Sequence, residues 1–293
     1  LLFLGRLLTG IFGGSYGPAQ AAIADITTPD ERAKNFGFVS AAFGVGFVLG
    51  PAIGGLLGEI SDRAPFYAAS ALAALNFAYG LFVFPETLAK ANRRPFDWRR
   101  ANPLGAWRAM RALPGMTGVA VVLILWQIAS LVYPLVWSYY AIAQFGWSNA
   151  LIGISLAVVG VTIAISQIFL TGPLVKKYGE RDAATIGLVA ATLGFIVYAV
   201  IDQSWMAFAA MLAIAVQGLV QPSLMAMLSR RATPETQGEV QGISSMALGI
   251  GGIVAPFVLN PAMAYFTSDA APFRFAGAAF AVAAVFAIVA IVV

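Results

Sequence analysis

Arg6 is the one basic residue that falls inside an apolar stretch of this sequence, and it frames the chemistry to look for. A charge near the middle of a bilayer costs about 2.5–3.5 kcal/mol on insertion scales, so it must face a cavity or a partner. If it lies closer to the membrane edge, it snorkels to the headgroups instead. Gly5, Gly10, Gly13, Gly14 and Gly17 share its segment and would let a neighbouring helix approach closely. Asp25 and Arg32 follow at the end of that segment. They are either a gate that pairs charges in one state and parts them in another, or loop charges solvated by water.

A second set of residues has ligand-binding chemistry. Tyr16 and Gln20, then Trp126, Gln127, Tyr133 and Trp137, then Gln167, Gln217 and Gln221 are polar or aromatic positions inside apolar runs. Aromatic faces with a few amides suit a large, partly apolar small molecule. Each is also a residue type that ties helices together or anchors them at an interface. A third set is mechanical: Gly44, Gly46, Gly50, Gly54 and Gly55 surround Pro51. Gly46, Gly50 and Gly54 form a groove at spacing four, and Pro51 removes a backbone hydrogen bond and bends its helix. Catalytic chemistry is poorly served. The chain has no His and no Cys, and Asp25, Glu59, Glu86, Glu180 and Asp202 all fall at span ends or in loops. Without paired intramembrane carboxylates or a zinc motif, the sequence does not read as an enzyme, and no metal or cofactor is expected.

The elements that must position these residues are membrane helices. The chain is 60% hydrophobic and 10% charged, against about 25% charged in soluble domains. Its apolar runs have the ~20-residue length that crosses a ~30 Å hydrocarbon layer, without the alternation of barrel strands. Hydropathy predicts nine spans, near 1–25, 35–58, 65–84, 116–142, 149–171, 183–201, 204–228, 238–264 and 272–293. The fold class is therefore an all-α integral membrane protein embedded in a lipid bilayer. The net charge of +4 sits in short flanking loops, which argues against a nucleic-acid partner. Loops after spans one, three, five and seven hold 14 of the 17 basic residues, which puts those loops in the cytoplasm.

An internal repeat organises the spans. At an offset of 205, Thr28, Pro29, Gly37, Ser40, Gly44, Gly46 and Pro51 meet Thr233, Pro234, Gly242, Ser245, Gly249, Gly251 and Pro256. The Gly-Pro helix is fuller in the first copy, where Gly50, Gly54 and Gly55 stand against Ala255, Leu259 and Asn260. Spans one, two and three match spans seven, eight and nine, so the unit is six helices long. Residues 116–293 are expected to be one complete bundle, and residues 1–84 the C-terminal half of the preceding one. Three helices of that bundle, and any proton-carrying carboxylate, are then expected outside this chain. Residues 85–115 are the connector: either a solvated linker or, from Pro103, a short interfacial helix with Leu104, Trp107 and Leu113 toward lipid.

Particular strings carry a family resemblance. Gly5-Arg6-Leu7-Leu8-Thr9-Gly10 with Ile23-Ala24-Asp25-Ile26-Thr27 resembles the fourth helix of drug:proton antiporters of the major facilitator superfamily. The Gly44–Gly55 string resembles their antiporter signature in the fifth helix. Asp30-Glu31-Arg32-Ala33-Lys34-Asn35-Phe36-Gly37, Gly172-Pro173, Gly179-Glu180-Arg181, Trp205-Met206-Ala207-Phe208 and Ala226-Met227-Leu228-Ser229-Arg230 resemble the tetracycline-efflux branch. The resemblance implies two six-helix bundles around a cavity that opens alternately to either side. It implies a bacterial inner-membrane protein that exports a drug-like small molecule in exchange for protons. Arg6 and the Gly-Pro helices, with Pro51 and Pro256, would couple and gate. Ala191 and Ile163 stand where that branch has a membrane Asp and, often, a His. An uptake carrier for a sugar or organic acid on the same fold is the alternative, as is a chain that transports nothing by itself.

Overall fold

The computed structural model describes residues 2–12, 22, 26, 32–87, 115–230 and 237–293. It divides into two compact units, Leu1–Asp97 and Trp98–Val293. The predicted interfacial helix lies outside the described residues.

The first unit contains α1 (Leu2–Phe12), α2 (Arg32–Ile60) and α3 (Ala64–Phe82). Helix α2 passes through Pro51 as one continuous element. In the turn before α3 the Ser61 hydroxyl accepts from the Ala64 amide at 3.1 Å, and a proline stands in the first turn, where its missing N–H costs nothing. No residue of α3 is buried.

The second unit contains α4 (Met116–Ser130), α5 (Val132–Phe145), α6 (Asn149–Ile165), a π segment (Ser166–Thr171), α7 (Gly172–Val200), α8 (Ser204–Ala213), a 3-10 segment (Ile214–Leu219), α9 (Val220–Arg230), α10 (Gln237–Phe266) and α11 (Ala278–Val292). Among the described residues, five helical runs are long and apolar enough to cross a membrane. The irregular joints follow the prolines. Pro134, Pro173 and Pro222 each lack a donor and crowd the carbonyl four residues back, at Ser130, Phe169 and Gly218. The helix breaks at Leu131, widens to π over Ser166–Thr171 and tightens to 3-10 over Ile214–Leu219 at those same points.

Two glycines make the turns. Gly146 (φ +68°) ends α5 in a left-handed C-cap, with its amide bonded to the Ile142 carbonyl and the Trp147 amide to the Ala141 carbonyl. Ser148 then caps α6 by accepting from the Leu151 amide at 3.3 Å. Gly179 (φ +82°, ψ 169°) is non-helical and divides α7 into two helices, so the loop predicted before span six is here a break at that one residue. An added Cβ there meets nothing within 4 Å among the described residues, so Gly179→Ala should cost backbone strain alone. About 1–2 kcal/mol of stability should be lost in thermal unfolding in detergent.

Small residues set the crossings. A Cβ on Gly187 of α7 would lie 2.7 Å from Val220 Cγ2, and one on Gly277 would strike the Ala199 backbone. Helix α11 buries Ala279, Ala283 and Ala287 at spacing four. Lipid tails are as apolar as these side chains, so the unit is held by close packing rather than by water exclusion.

Candidate functional site

Helix α4 carries Trp126 and Gln127, and α5 carries Tyr133 and Trp137; facing them, the 3-10 segment carries Gln217 and α9 carries Gln221. Gln127 and Gln217 are buried, while Tyr133 and Gln221 are half-buried. The Gln127 amide Nε2 donates to Gln221 Oε1 at 3.5 Å, and the Tyr133 hydroxyl donates to Gln217 Oε1 at 3.4 Å. The separations pair naturally: four residues apart on one side and six on the other, with the break at Leu131 offsetting the register. Four residues singled out by type alone therefore form one uncharged row. Both pairs sit at the long end of hydrogen-bond geometry, so a ligand group can replace either partner at small cost.

Tyr133 joins this row to an aromatic cluster. Its ring centroid lies 5.7 Å from Phe195, 5.9 Å from Phe280 and 6.2 Å from Tyr198. Trp137 is enclosed by that cluster, with its indole Nε1 donating to Ser155 Oγ at 2.9 Å. The Tyr140 hydroxyl donates to the Tyr198 carbonyl at 2.6 Å, and the Tyr198 hydroxyl to the Ala207 carbonyl at 3.0 Å. These bonds satisfy the polar tips of buried rings. Trp126 is buried in the same core.

One glycine places Gln127. A Cβ on Gly251 of α10 would lie 2.9 Å from Gln127 Cβ and 3.3 Å from its backbone carbon. Gly251 is the repeat counterpart of Gly46. At Gly46, Gly50 and Gly54 of α2 an added Cβ meets nothing within 4 Å among the described residues. Pro256 and Pro261 lie inside the continuous α10.

Tyr16, Gln20 and Asp25 lie outside the described residues, as do the side chains of Arg6, Arg32 and Gln167. The backbones of Arg6, Arg32 and Gln167 are helical or π-helical, and Gly44 and Gly55 lie in α2. Sequence reasoning did not single out Ser155, Ser166 or Ser223. Among the described residues the Ser166 and Ser223 hydroxyls are buried without a partner, and Ser166 Oγ would lie 3.1 Å from a Cβ on Gly218. Nothing in their sequence context distinguishes them from serines that bond back to their own helix. Arg230 at the end of α9 pairs with Glu180, just after the Gly179 bend, at 2.7 Å. Among the described residues no cluster of His, Cys, Asp or Glu could hold a metal.

Comparison with known proteins identifies the architecture. The family model described as the Major Facilitator Superfamily matches residues 1–256 and 123–293. The class C tetracycline resistance protein of Escherichia coli is 38% identical over 260 residues, covering 89% of this chain and 65% of that protein. Multidrug resistance protein 2 of Bacillus subtilis is 28% identical, covering 87% of this chain and 65% of that protein. The chain thus spans just under two thirds of the length of these curated relatives. A bacterial homologue of the human lysosomal transporter Spinster, caught inward-facing and unoccupied, superposes with a TM-score of 0.70 at 15% identity, over 94% of this chain and 72% of that one. The human organic anion transporter TETRAN superposes with a TM-score of 0.65 at 22% identity, over 99% of this chain and 70% of that one. The overlapping matches across the whole sequence and the shared helical fold establish that this chain belongs to the Major Facilitator Superfamily.

Proposed function

We propose that the protein is a multi-pass transporter of a bacterial inner membrane that exports a drug-like small molecule, tetracycline-type or multidrug, in exchange for protons. Residues 116–293 form one six-helix bundle, residues 1–84 belong to another, and residues 85–115 connect them. The observation that carries the reading is the uncharged amide and phenol row of Gln127, Tyr133, Gln217 and Gln221 on facing helices. Its members offer exchangeable donors and acceptors beside aromatic faces, the chemistry that holds a polyfunctional, partly apolar ligand. The tetracycline and multidrug resistance proteins named above are the relatives whose likeness supports efflux. Arg6, Asp25 and Arg32 are assigned to coupling and gating, together with the glycines around Pro51 and the helix around Pro256. Tyr16, Gln20 and Gln167 complete the proposed substrate-facing set, while Trp126 and Trp137 stand behind it in the buried core.

The test is resistance of cells producing the protein. Gln221→Leu removes one acceptor from the row and should lower the tolerated tetracycline concentration about fivefold to tenfold, the worth of one hydrogen bond in a buried site. Gln127→Leu should act similarly, and the double variant should be little worse than either single one, because the two amides share one interaction. Unchanged resistance in all three variants, at equal membrane abundance, would remove the row from the substrate path.

A further inference from the structure

The widened and the tightened helix segments of the second unit pack on one another, and each carries an amide assigned above to the substrate path. Gln167 belongs to the π segment and Gln217 to the 3-10 segment. Their neighbours Ser166 and Gly218 stand face to face: a Cβ on Gly218 would lie 3.1 Å from Ser166 Oγ and 3.5 Å from Ser166 Cβ. Ser166 is fully buried. A hydroxyl inside a helix commonly donates to the carbonyl one turn back. Thr162 does so, to the Val158 carbonyl at 2.8 Å. The Ser166 hydroxyl has no partner among the described residues, although the Ser166 carbonyl accepts from the Thr171 hydroxyl at 3.3 Å. A buried donor left unpaired raises the free energy of the arrangement that holds it.

The facing backbone has the complementary deficit. Pro222 has no N–H to give the Gly218 carbonyl, and a carbonyl has two lone pairs to fill. No side chain at Gly218 stands between that carbonyl and the hydroxyl. The 3-10 run is six residues long, whereas such runs rarely exceed about three or four, so an α-helical form of it is a near alternative. Relaxing to α shortens the run by about 0.5 Å per residue and turns Gly218 relative to Ser166. In the arrangement described, the Tyr133 hydroxyl ties Gln217 to α5 at 3.4 Å. A ligand group that takes the place of Tyr133 on Gln217 releases the run to relax. We propose, on the transport reading above, that Ser166 is a positioning residue for substrate: as ligand engages Gln217, the Ser166 hydroxyl closes onto the Gly218 carbonyl and holds Gln217 on the ligand. The bond forms with the bound arrangement, so its worth goes into affinity rather than into the fold.

The test uses the purified full chain in detergent micelles with tetracycline as the probe, and measures its affinity by titration calorimetry and the probe-free unfolding midpoint. Ser166→Ala should weaken tetracycline binding about fivefold to tenfold and leave the midpoint unchanged or raised, because it deletes an unpaired buried hydroxyl. A serine that only fills space would lower the midpoint and spare the affinity. Gly218→Ala puts a methyl 3.1 Å from the hydroxyl and should weaken binding as much. The double variant should be no weaker than either single one, because both break one bond. Thr162→Ala removes a hydroxyl already bonded to its own helix and should bind like the wild type. Wild-type affinity in Ser166→Ala, a lowered midpoint in that variant, or losses that add in the double variant would each overturn this assignment and leave the transport reading standing. A wild-type protein that does not bind tetracycline would overturn both.

Discussion

Trp137→Ala is expected to destabilise the second unit by about 3 kcal/mol, at the lower end of the range for emptying a large buried aromatic site. Trp137 is 2% exposed, and its ring lies 5.2 Å from Tyr198, 5.8 Å from Tyr140, 6.0 Å from Trp147 and 6.2 Å from Phe280. In water the loss would include a hydrophobic transfer term. In a bilayer the unfolded helix keeps its side chain in lipid, so that term shrinks, and the lost contacts and the cavity remain. The Ser155 hydroxyl still donates to the Ile152 carbonyl at 2.7 Å but loses its indole donor. Trp205→Ala is the matched control, because Trp205 is 69% exposed and its loss should stay within about 0.5 kcal/mol. Reversible unfolding in mixed micelles checks both. Equal midpoints for the two variants would mean that the aromatic cluster does not hold α5 against α7 and α11.

Gly251→Val should impair transport more than stability. The new Cβ would lie 2.9 Å from Gln127 Cβ and 3.3 Å from the Gln127 backbone carbon. A backbone atom cannot swing aside as a side-chain tip does, so α4 must move away from α10. Overpacking of this kind costs about 1–3 kcal/mol. The same shift carries Gln127 off its 3.5 Å contact with Gln221, and a displacement near 1 Å in a binding constellation can cost on the order of a hundredfold in function. Gly252→Val, one residue along, adds a Cβ that meets nothing within 4 Å among the described residues and should leave resistance intact. Loss of resistance in Gly251→Val with normal function in Gly252→Val is the expected pattern. Equal behaviour of the pair would show that the crossing at Gly251 does not position the row.

Much of the architecture is legible in hydropathy because a bilayer imposes one length on every span. The expected 35–58 and 238–264 correspond to Arg32–Ile60 and Gln237–Phe266, and 204–228 to the run Ser204–Arg230. Residue type also picked out Gln127, Tyr133, Gln217 and Gln221, since an amide or phenol inside lipid must find a partner. Hydropathy could not show which amide meets which, because that depends on the register between helices distant in sequence. Nor could it show the π and 3-10 segments. Their cause, the prolines at 173 and 222, was visible in the sequence, but their form depends on how neighbouring carbonyls are re-satisfied. Trp137 illustrates the limit of reading residue type: the same indole suits a ligand box or a core, and only the five rings around it and Ser155 reveal its packing role. The glycine pattern likewise marked both repeat copies, while the close approach among described residues falls at Gly251, in the copy with fewer glycines.

Flux in inverted membrane vesicles containing the protein measures proton-coupled export most directly. With an acid-inside gradient, labelled tetracycline should accumulate inside, a protonophore should abolish the accumulation, and Gln221→Leu vesicles should accumulate about fivefold to tenfold less. Accumulation that ignores the protonophore, or appears only in right-side-out vesicles, would contradict export by proton exchange.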